Sequence, residues 1–545
     1  MAALSFVCAA NSWGIPSNAR YFSSGHEVYA LLRALRLESG RTVPWTSESL
    51  TAGEIDRLLR PVDRERLSAA GQGAYDLIRE HLQPRALYQE PEQQFFASAS
   101  IRLALEGYLN TADARTEWLN GYSRRFPLLT IPLEAGLGQG LYARGDLLLR
   151  NEHRTVGNPD FPSNVPTRIE AIDFQFPLSA YAVAGGDLWF VQLGRDQLRW
   201  GSGRSGAMVL GNEPDYYEFA RFGVTADRFR YTGLVVDLEA RMSSSEEAAF
   251  AAANPGEFAR FNDDAEDEKA LYLHRFELDL GTRLHIAISE GIMYGTRRGT
   301  LRLWNPLMIY HNLFDWEHAS AMLGVELNLR PSRYVNLYGE WGMNQFGTTF
   351  KRDAYDTEDI PDAFGFLLGG EVFAPAGPRF ITGGAEFAYT NPWYGVREHP
   401  YTTWHWRRQT ISNLLPGRPV VTKPIGYRFG PDTVLARIHG GYLEPGRRSA
   451  ELSLSLRFRG ENSIETPYAR GIDAASARAA SGDVIERSFI GELSMSEAFS
   501  FRGLPNSTDT SFRLSLAYLS IKNYDHRPGI SVRDLQISPA FVLQF

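Results

Sequence analysis

The sequence predicts an all-β transmembrane barrel of about 18 antiparallel strands, preceded by a small α-helical domain. Three observations predict it. Apolar and polar residues alternate at period two over most of the chain, the connections between these segments alternate short and long, and the last segment is an alternating strand ending on Phe545. The composition agrees. With 43% hydrophobic and 12% aromatic residues among 545, the chain can build a core, which excludes disorder. No stretch approaches the roughly 20 unbroken apolar residues of a membrane-crossing helix. A net charge of −8 argues against a nucleic-acid partner.

Residues 1–10 read MAALSFVCAA, a short apolar run ending in small residues. This suits the tail of a secretory signal cleaved after Ala10; the competing reading is a disordered N-terminus. Cys8 is the only cysteine, so if it leaves with the leader neither a disulfide nor a cysteine metal site is available.

Residues 24–90 carry helical spacing: Val28, Leu31, Leu32 and Leu35, then Ile55, Leu58, Leu59 and Val62, then Leu67, Leu77 and Ile78. Thr51 with Glu54 three residues on is a capping box for the second helix. From Phe95 to Phe545 the period is two. Phe95, Ala97, Ala99, Ile101, Leu103 and Leu105 face one way, with Ser98, Ser100, Arg102 and Glu106 between them. The pattern returns at Ile172–Leu178, Tyr272–Leu280, Ala321–Leu329 and Ala450–Phe458.

Short connections are 138–140, 185–187, 281–282, 330–333 and 374–378; long ones are 150–171, 240–270, 344–362, 390–431 and 460–486. A soluble sandwich has no reason to alternate this way. An outer-membrane barrel does, with turns in the periplasm and long loops outside the cell. In hydrocarbon an unpaired backbone group costs several kcal/mol, so a spanning sheet has to close on itself. The last strand, with Leu535, Ile537, Phe541, Leu543 and Phe545, resembles the ending by which the barrel-insertion machinery recognises its clients.

Residues 194–206 read GRDQLRWGSGRSG, where a strand runs into a long loop. Arg195 and Arg199 share the parity of the apolar residues before them, so they lie beyond the membrane edge or a bulge at Gly194 turns them inward. Arg195, Arg199 and Arg204 suit bidentate recognition of acidic sugars or phosphate, with Trp200 as a stacking surface. The same residues also suit an internal Arg–carboxylate network, with Asp196 and Glu213 among the partners, and composition favours that second reading.

The segment resembles the Gly-Arg…Trp-Gly-x-Gly stretch of the Wzi-like capsule assembly proteins, followed as there by Asn212 and Pro214. Further similarities follow in the same order: Ser289-Glu290 before Tyr294-Gly295, Asn305-Pro306 with Tyr310, Tyr338-Gly339 with Trp341, and Gly365 to Gly370. The likeness runs from Tyr29 to Leu368. Where the family tends to carry an acidic residue after the Tyr-Gly segment, this chain has Asn344. The resemblance implies an outer-membrane lectin that helps attach or organise surface polysaccharide, with an 18-stranded barrel and a periplasmic helical bundle, and no enzymatic activity.

The largest loop adds Trp393, Tyr394, Trp404, Trp406 and Arg407 with His399, Tyr401 and His405. Aromatic faces beside Arg and His suit sugar rings; an aromatic girdle or a loop folded into the barrel as a plug fits as well. The acidic loop from Ser243 to Glu268 lacks EF-hand spacing and reads as a solvated loop rather than a Ca²⁺ site. Enzyme signals are poor: Gly203-Arg204-Ser205-Gly206-Ala207 lacks the last glycine of a nucleophile elbow, and there is no HExxH motif or phosphate loop. The expectation is a non-catalytic barrel in the outer membrane, without cofactor or metal, whose partners are surface polysaccharide, outer-membrane lipid and the insertion machinery. A porin or solute-uptake channel, with inner Arg and Glu as its lining, is the alternative.

Overall fold

The computed structural model describes residues 12–13, 17–83, 85–86, 88–89, 95–112, 118–152, 161–174, 177–256, 258–259, 268–295, 301–305, 307–313, 318–345, 361–409, 420–469, 478–499 and 509–545. The leader 1–10 with Cys8, and Asp263, Asp264, Glu266 and Asp267 of the acidic loop, lie outside them.

Eighteen antiparallel strands close a barrel. They are β1 (Phe95–Ala99, continued as Arg102–Glu106), β2 (Leu129–Leu137), β3 (Leu141–Leu149), β4 (Ala180–Gly185), β5 (Trp189–Asp196), β6 (Tyr217–Thr225), β7 (Phe229–Glu239), β8 (Glu268–Leu280), β9 (Leu284–Gly295), β10 (Ala319–Leu329), β11 (Val335–Gln345), β12 (Ala363–Ala376), β13 (Arg379–Thr390), β14 (Thr433–Glu444), β15 (Arg448–Arg459), β16 (Glu486–Phe499), β17 (Asp509–Lys522) and β18 (Ser531–Gln544). The ring closes where Phe541 of β18 lies opposite Leu105 of β1, while Phe95 of β1 pairs with Leu137 of β2. Each barrel strand is thus paired on both sides, which is what hydrocarbon requires.

Period two fixes what faces lipid. Leu105, Leu133, Val191, Leu193, Ile288, Leu368, Ile438, Leu452, Leu456 and Phe512 are exposed on the outer wall. The intervening positions of β6 to β13 are buried in the lumen, among them Tyr217, Phe219, Leu234, Val236, Leu271, Leu273, Met293 and Leu367. Short turns lie at one end of the barrel and long loops at the other, as the connection lengths predict.

The described residues of the Ile172–Leu178 alternation, 172–174, 177 and 178, lie in no strand. Residues 169–171 form a 3₁₀ turn, Asn151 bridges to Ile172, and β4 starts only at Ala180. Pro177 lacks the N–H a ladder needs there. The acidic loop is not wholly solvated either. Ser244–Ala253 is a helix, capped by Ser243, whose Oγ accepts from the Glu246 N–H at 3.2 Å, and Glu246 is buried.

The helical segment forms α1 (Glu27–Glu38), α2 (Ala52–Leu59) and α3 (Ala69–His81). The capping box is present: Thr51 Oγ1 accepts from the Glu54 N–H at 3.2 Å, and Glu54 Oε2 from the Thr51 N–H at 2.9 Å. Helix α1 instead starts on His26, whose Nδ1 accepts from Val28. The helices sit in the short-turn mouth. Their core takes in Phe373 and Phe380 from either side of the β12–β13 turn. Burying each of those rings contributes about 1.5–3 kcal/mol to seating the segment. Arg57 reaches two more turns, Asp187 at 3.0 Å and Asp227 at 2.9 Å, and the Arg333 Nε donates to the Glu38 carbonyl at 2.8 Å. The helical segment therefore shares a core with the barrel.

Candidate functional site in the barrel lumen

An 18-strand ring encloses more volume than its wall side chains fill, so chain must enter it or water must. Here chain enters from both ends. From the short-turn end, the link between α1 and α2 rises into the lumen. The Thr46 and Ser47 N–H groups donate to Glu277 at 2.8 and 3.1 Å, and Thr46 Oγ1 donates to Glu326 at 3.0 Å. From the long-loop end, residues 197–216 descend to meet it: Trp200 bridges Ser47, and the Gly201 N–H donates to the Thr46 carbonyl at 3.0 Å.

The glycine-rich motif works here as a backbone donor set. Gly203 and Met208 N–H donate to Glu340 at 2.7 and 2.9 Å, and Arg204 and Ser205 N–H donate to Glu386 at 2.6 and 2.8 Å. Gly201 has φ +146°, and a Cβ there would come within 2.6 Å of the Glu340 carboxylate. The loop between β13 and β14 folds in beside this segment. Its strands His405–Gln409 and Val420–Pro424 pair with each other, and Tyr394, Trp404, Trp406, Ile425 and Tyr427 join the lumenal core.

The expected site residues accordingly do not converge on an open surface. Trp200, Trp393, Tyr394, Trp404 and Trp406 are all buried, so none offers a face to a sugar. Trp393 packs edge-on against Tyr468 at 5.7 Å and Trp406 against Tyr216 at 5.4 Å, while Tyr394 donates to the Met208 carbonyl. Arg407 pairs with Glu246 and donates to the Arg241 carbonyl at 2.9 Å. Arg199 pairs with Glu48 at 3.3 Å and Arg204 with Glu371 at 3.4 Å. Arg195 faces outward near the rim, without a bulge at Gly194, paired with Glu218 and 4.1 Å from the Tyr216 ring. The internal Arg–carboxylate network is thus what the motif builds, with partners other than those expected. Asp196 accepts from Ser23 at 2.5 Å, and Glu213 pairs with Arg124 at 3.1 Å and Arg428 at 3.3 Å. Of the other motif residues, Glu290 and Tyr310 meet on the outer wall. There His274 stacks on Tyr310 at 4.5 Å and contacts Glu290 at 3.2 Å beneath a loop that leaves Leu301 and Leu307 exposed.

A fully buried ion network joins helix and wall. Arg230 of β7 lies 2.7 Å from Glu54 of α2 and 3.4 Å from Glu277 of β8. Burial pushes the Glu54 carboxyl up, but the Arg230 guanidinium outweighs it and holds the group below its ordinary value of 4.5. A depressed carboxylate stabilises the seated form fully above its ordinary value, and the contribution is lost as pH falls through the depressed one. Acidification to about pH 3 is therefore expected to expose the helical segment to an acid-active protease, and undiminished protection there counts against this linkage.

Sequence reasoning missed one feature. Beside β1, β3 and the end of β5 the lumen keeps a cavity of about 350 Å³, bounded below by residues 20–26 and above by the β1–β2 loop. Six guanidinium groups line it, from Arg20, Arg102, Arg124, Arg125, Arg144 and Arg150, against the carboxylates of Asp146, Asp196 and Asp215. Arg144 is held by Asp146 at 2.8 Å and Glu134 at 3.5 Å. Arg124 shares Glu213 with Arg428, and this second guanidinium, then burial, pushes Arg124 down to about 10; burial does the same to Arg125. Nearby, Arg408 of the folded-in loop lies 3.2 Å from Asp173 and 3.4 Å from Asp215. The polar parity of Arg102 marked it as interior; that it shares one cavity with Arg144 was not legible.

No protein-family model and no curated protein matches the chain. Among solved structures it matches Wzi, described as an outer-membrane protein involved in group 1 capsule assembly in Escherichia coli and a carbohydrate-binding β-barrel. The TM-score is 0.59 at 14% identity, over 96% of this chain and 99% of that one. Two Pseudomonas aeruginosa proteins also match: OccK3 (TM-score 0.38, 10% identity, 82% of this chain and 95% of that) and OccD3 (0.40, 9%, 82% and 92%). The chain is a closed barrel of 18 antiparallel strands, similar in fold to the outer-membrane protein Wzi.

Proposed function

We propose that this barrel binds or organises surface polysaccharide at its long-loop end and is neither a solute channel nor an enzyme. In this reading the short turns and helices lie in the periplasm, the long loops lie outside the cell, the apolar belt meets outer-membrane lipid, and β18 with Phe545 addresses the insertion machinery. The observation that carries the proposal is the filled lumen. A channel gains nothing from a helical segment bonded into one mouth and two loops packed into the bore, whereas a binding protein gains rigid loops. The fold similarity to a carbohydrate-binding barrel supports the same reading. Of the expected site residues, Arg195 keeps about a quarter of its side chain accessible, at 25%, near the long-loop rim, and is the candidate for direct contact; Arg204, beside Glu371 and Phe373 towards the short-turn end, is not. The buried aromatics act by holding the loops.

The test is retention of detergent-solubilised full-length protein on a panel of immobilised bacterial surface polysaccharides. Saturable retention on a subset is expected. Retention on none of them, joined with steady conductance in planar bilayers, overturns the proposal in favour of the channel.

A further inference from the structure

We propose that the arginine-lined cavity is a binding shaft for a carboxylate-bearing sugar chain, entered from the long-loop end. This rests on the polysaccharide-binding reading above and names the chemical class it takes.

Period two on β3 sends Arg144, Asp146, Leu148 and then Arg150 to the same side, and all four line the cavity. Six residues at about 3.3 Å each make this file roughly 20 Å long, which suits a linear chain of several sugars better than a single small ion. The direction follows from accessibility. Arg124, in the β1–β2 loop, keeps 42% of its side chain accessible and marks the opening at the long-loop end, while Arg125 and Arg150 beside it are buried and form its walls.

The guanidinium groups are set up for planar anions. Arg125 lies 4.3 Å from the Tyr108 ring and 4.9 Å from Trp118, and Arg150 lies 3.7 Å from Tyr122. Aromatic contact fixes the plane of a guanidinium while leaving N–H edges to meet a carboxylate in bidentate fashion. Arg102 is held by Thr130 Oγ1 at 3.3 Å, and Arg513 of β17 lies 5.0 Å from the Phe126 ring that lines the shaft. Neither has a carboxylate at ion-pair distance among the described residues. In a protein of net charge −8, six guanidinium groups against three carboxylates along the lining make a local inversion of sign that an incoming anion relieves.

The experiment is calorimetric titration of solubilised full-length protein with oligogalacturonate, with neutral dextran oligomers and inorganic phosphate as comparisons. Wild type is expected to bind oligogalacturonate with an affinity that falls as salt rises, and to bind the other two at least about tenfold more weakly. R102Q combined with R513Q is expected to lose about tenfold or more, since charge-assisted bidentate contacts go. R102K with R513K, which keeps both charges and the fold, is expected to fall between. R66Q, on an exposed turn of the helical segment, is expected to match wild type. If both paired variants bind oligogalacturonate as wild type does, the shaft is not the site, although the polysaccharide reading stands. Equal binding of dextran overturns the anionic class alone. Equal binding of phosphate reduces the shaft to a general anion site. If no glycan binds here or on the polysaccharide panel, the functional reading fails too.

Discussion

Replacing Arg230 with methionine is expected to unseat the helical segment from the barrel. Arg230 is fully buried between Glu54 of α2 and Glu277 of β8, and methionine fills much of its volume without its charge. The change leaves a buried carboxylate on each side of the helix–wall boundary without this partner. Stripping one member from a buried pair costs about 3–5 kcal/mol, a large share of what holds a segment of three short helices. The cost falls on seating rather than on barrel closure, because the strand ladder around Arg230 is backbone to backbone. Limited proteolysis is expected to cleave the variant between Glu27 and His81 while the barrel stays heat-resistant, and planar bilayers are expected to record openings absent from wild type. Adding Glu54→Gln is expected to restore part of the protection, because the uncompensated charge goes with it. Protease resistance equal to wild type in the single variant contradicts this role for the pair.

The second large effect is expected at Glu340 and Glu386. Their carboxylates receive four backbone N–H groups of the descending segment, from Gly203, Met208, Arg204 and Ser205, and Glu386 also accepts from Tyr338 at 2.9 Å. A hydrogen bond to a charged group contributes about 1.5–3 kcal/mol, so alanine at both positions removes several kcal/mol from one loop and leaves its amides unsatisfied. Residues 197–216 are then expected to leave the lumen, exposing Trp200 and producing a red shift and stronger quenching of tryptophan emission. Glutamine at both positions keeps one carbonyl acceptor each, and its effect is expected to be smaller. An alanine pair with unchanged quenching and no added conductance shows that packing of Trp200, Met208 and Tyr394 suffices to hold the loop.

Much of this architecture was legible because it rests on local periodicity. Alternation along Ala450–Phe458 or Tyr272–Leu280 is a property of a few neighbouring residues, and so is the Thr51–Glu54 capping box. Connection length told which end of the barrel carries the loops. It did not tell whether a loop turns away from the lumen or into it. That depends on partners far along the chain: Gly203 on Glu340, Arg408 on Asp173, Trp406 on Tyr216. The aromatics of 393–406 suit sugar faces by composition, yet the same size and shape fill the bore of a wide barrel, and filling won. For the glycine-rich motif, composition favoured an internal network over a ligand site; what it did not tell is that the glycines let backbone amides approach Glu340 and Glu386. The described residues of Ile172–Leu178 lie in no strand, and Pro177 interrupts the donor ladder there, a veto that alternation alone does not register. Arg102 could be assigned to the interior by parity, but its convergence with Arg144, Arg20 and Arg124 depends on how the helical segment and the β1–β2 loop close over them.

The closed lumen is the claim on which the rest stands, and single-channel recording of the unmodified full-length protein in planar bilayers tests it most directly. The account predicts a silent baseline, with openings only after the Arg230 or the Glu340 and Glu386 replacements. A steady, ohmic conductance from the unmodified protein would contradict it.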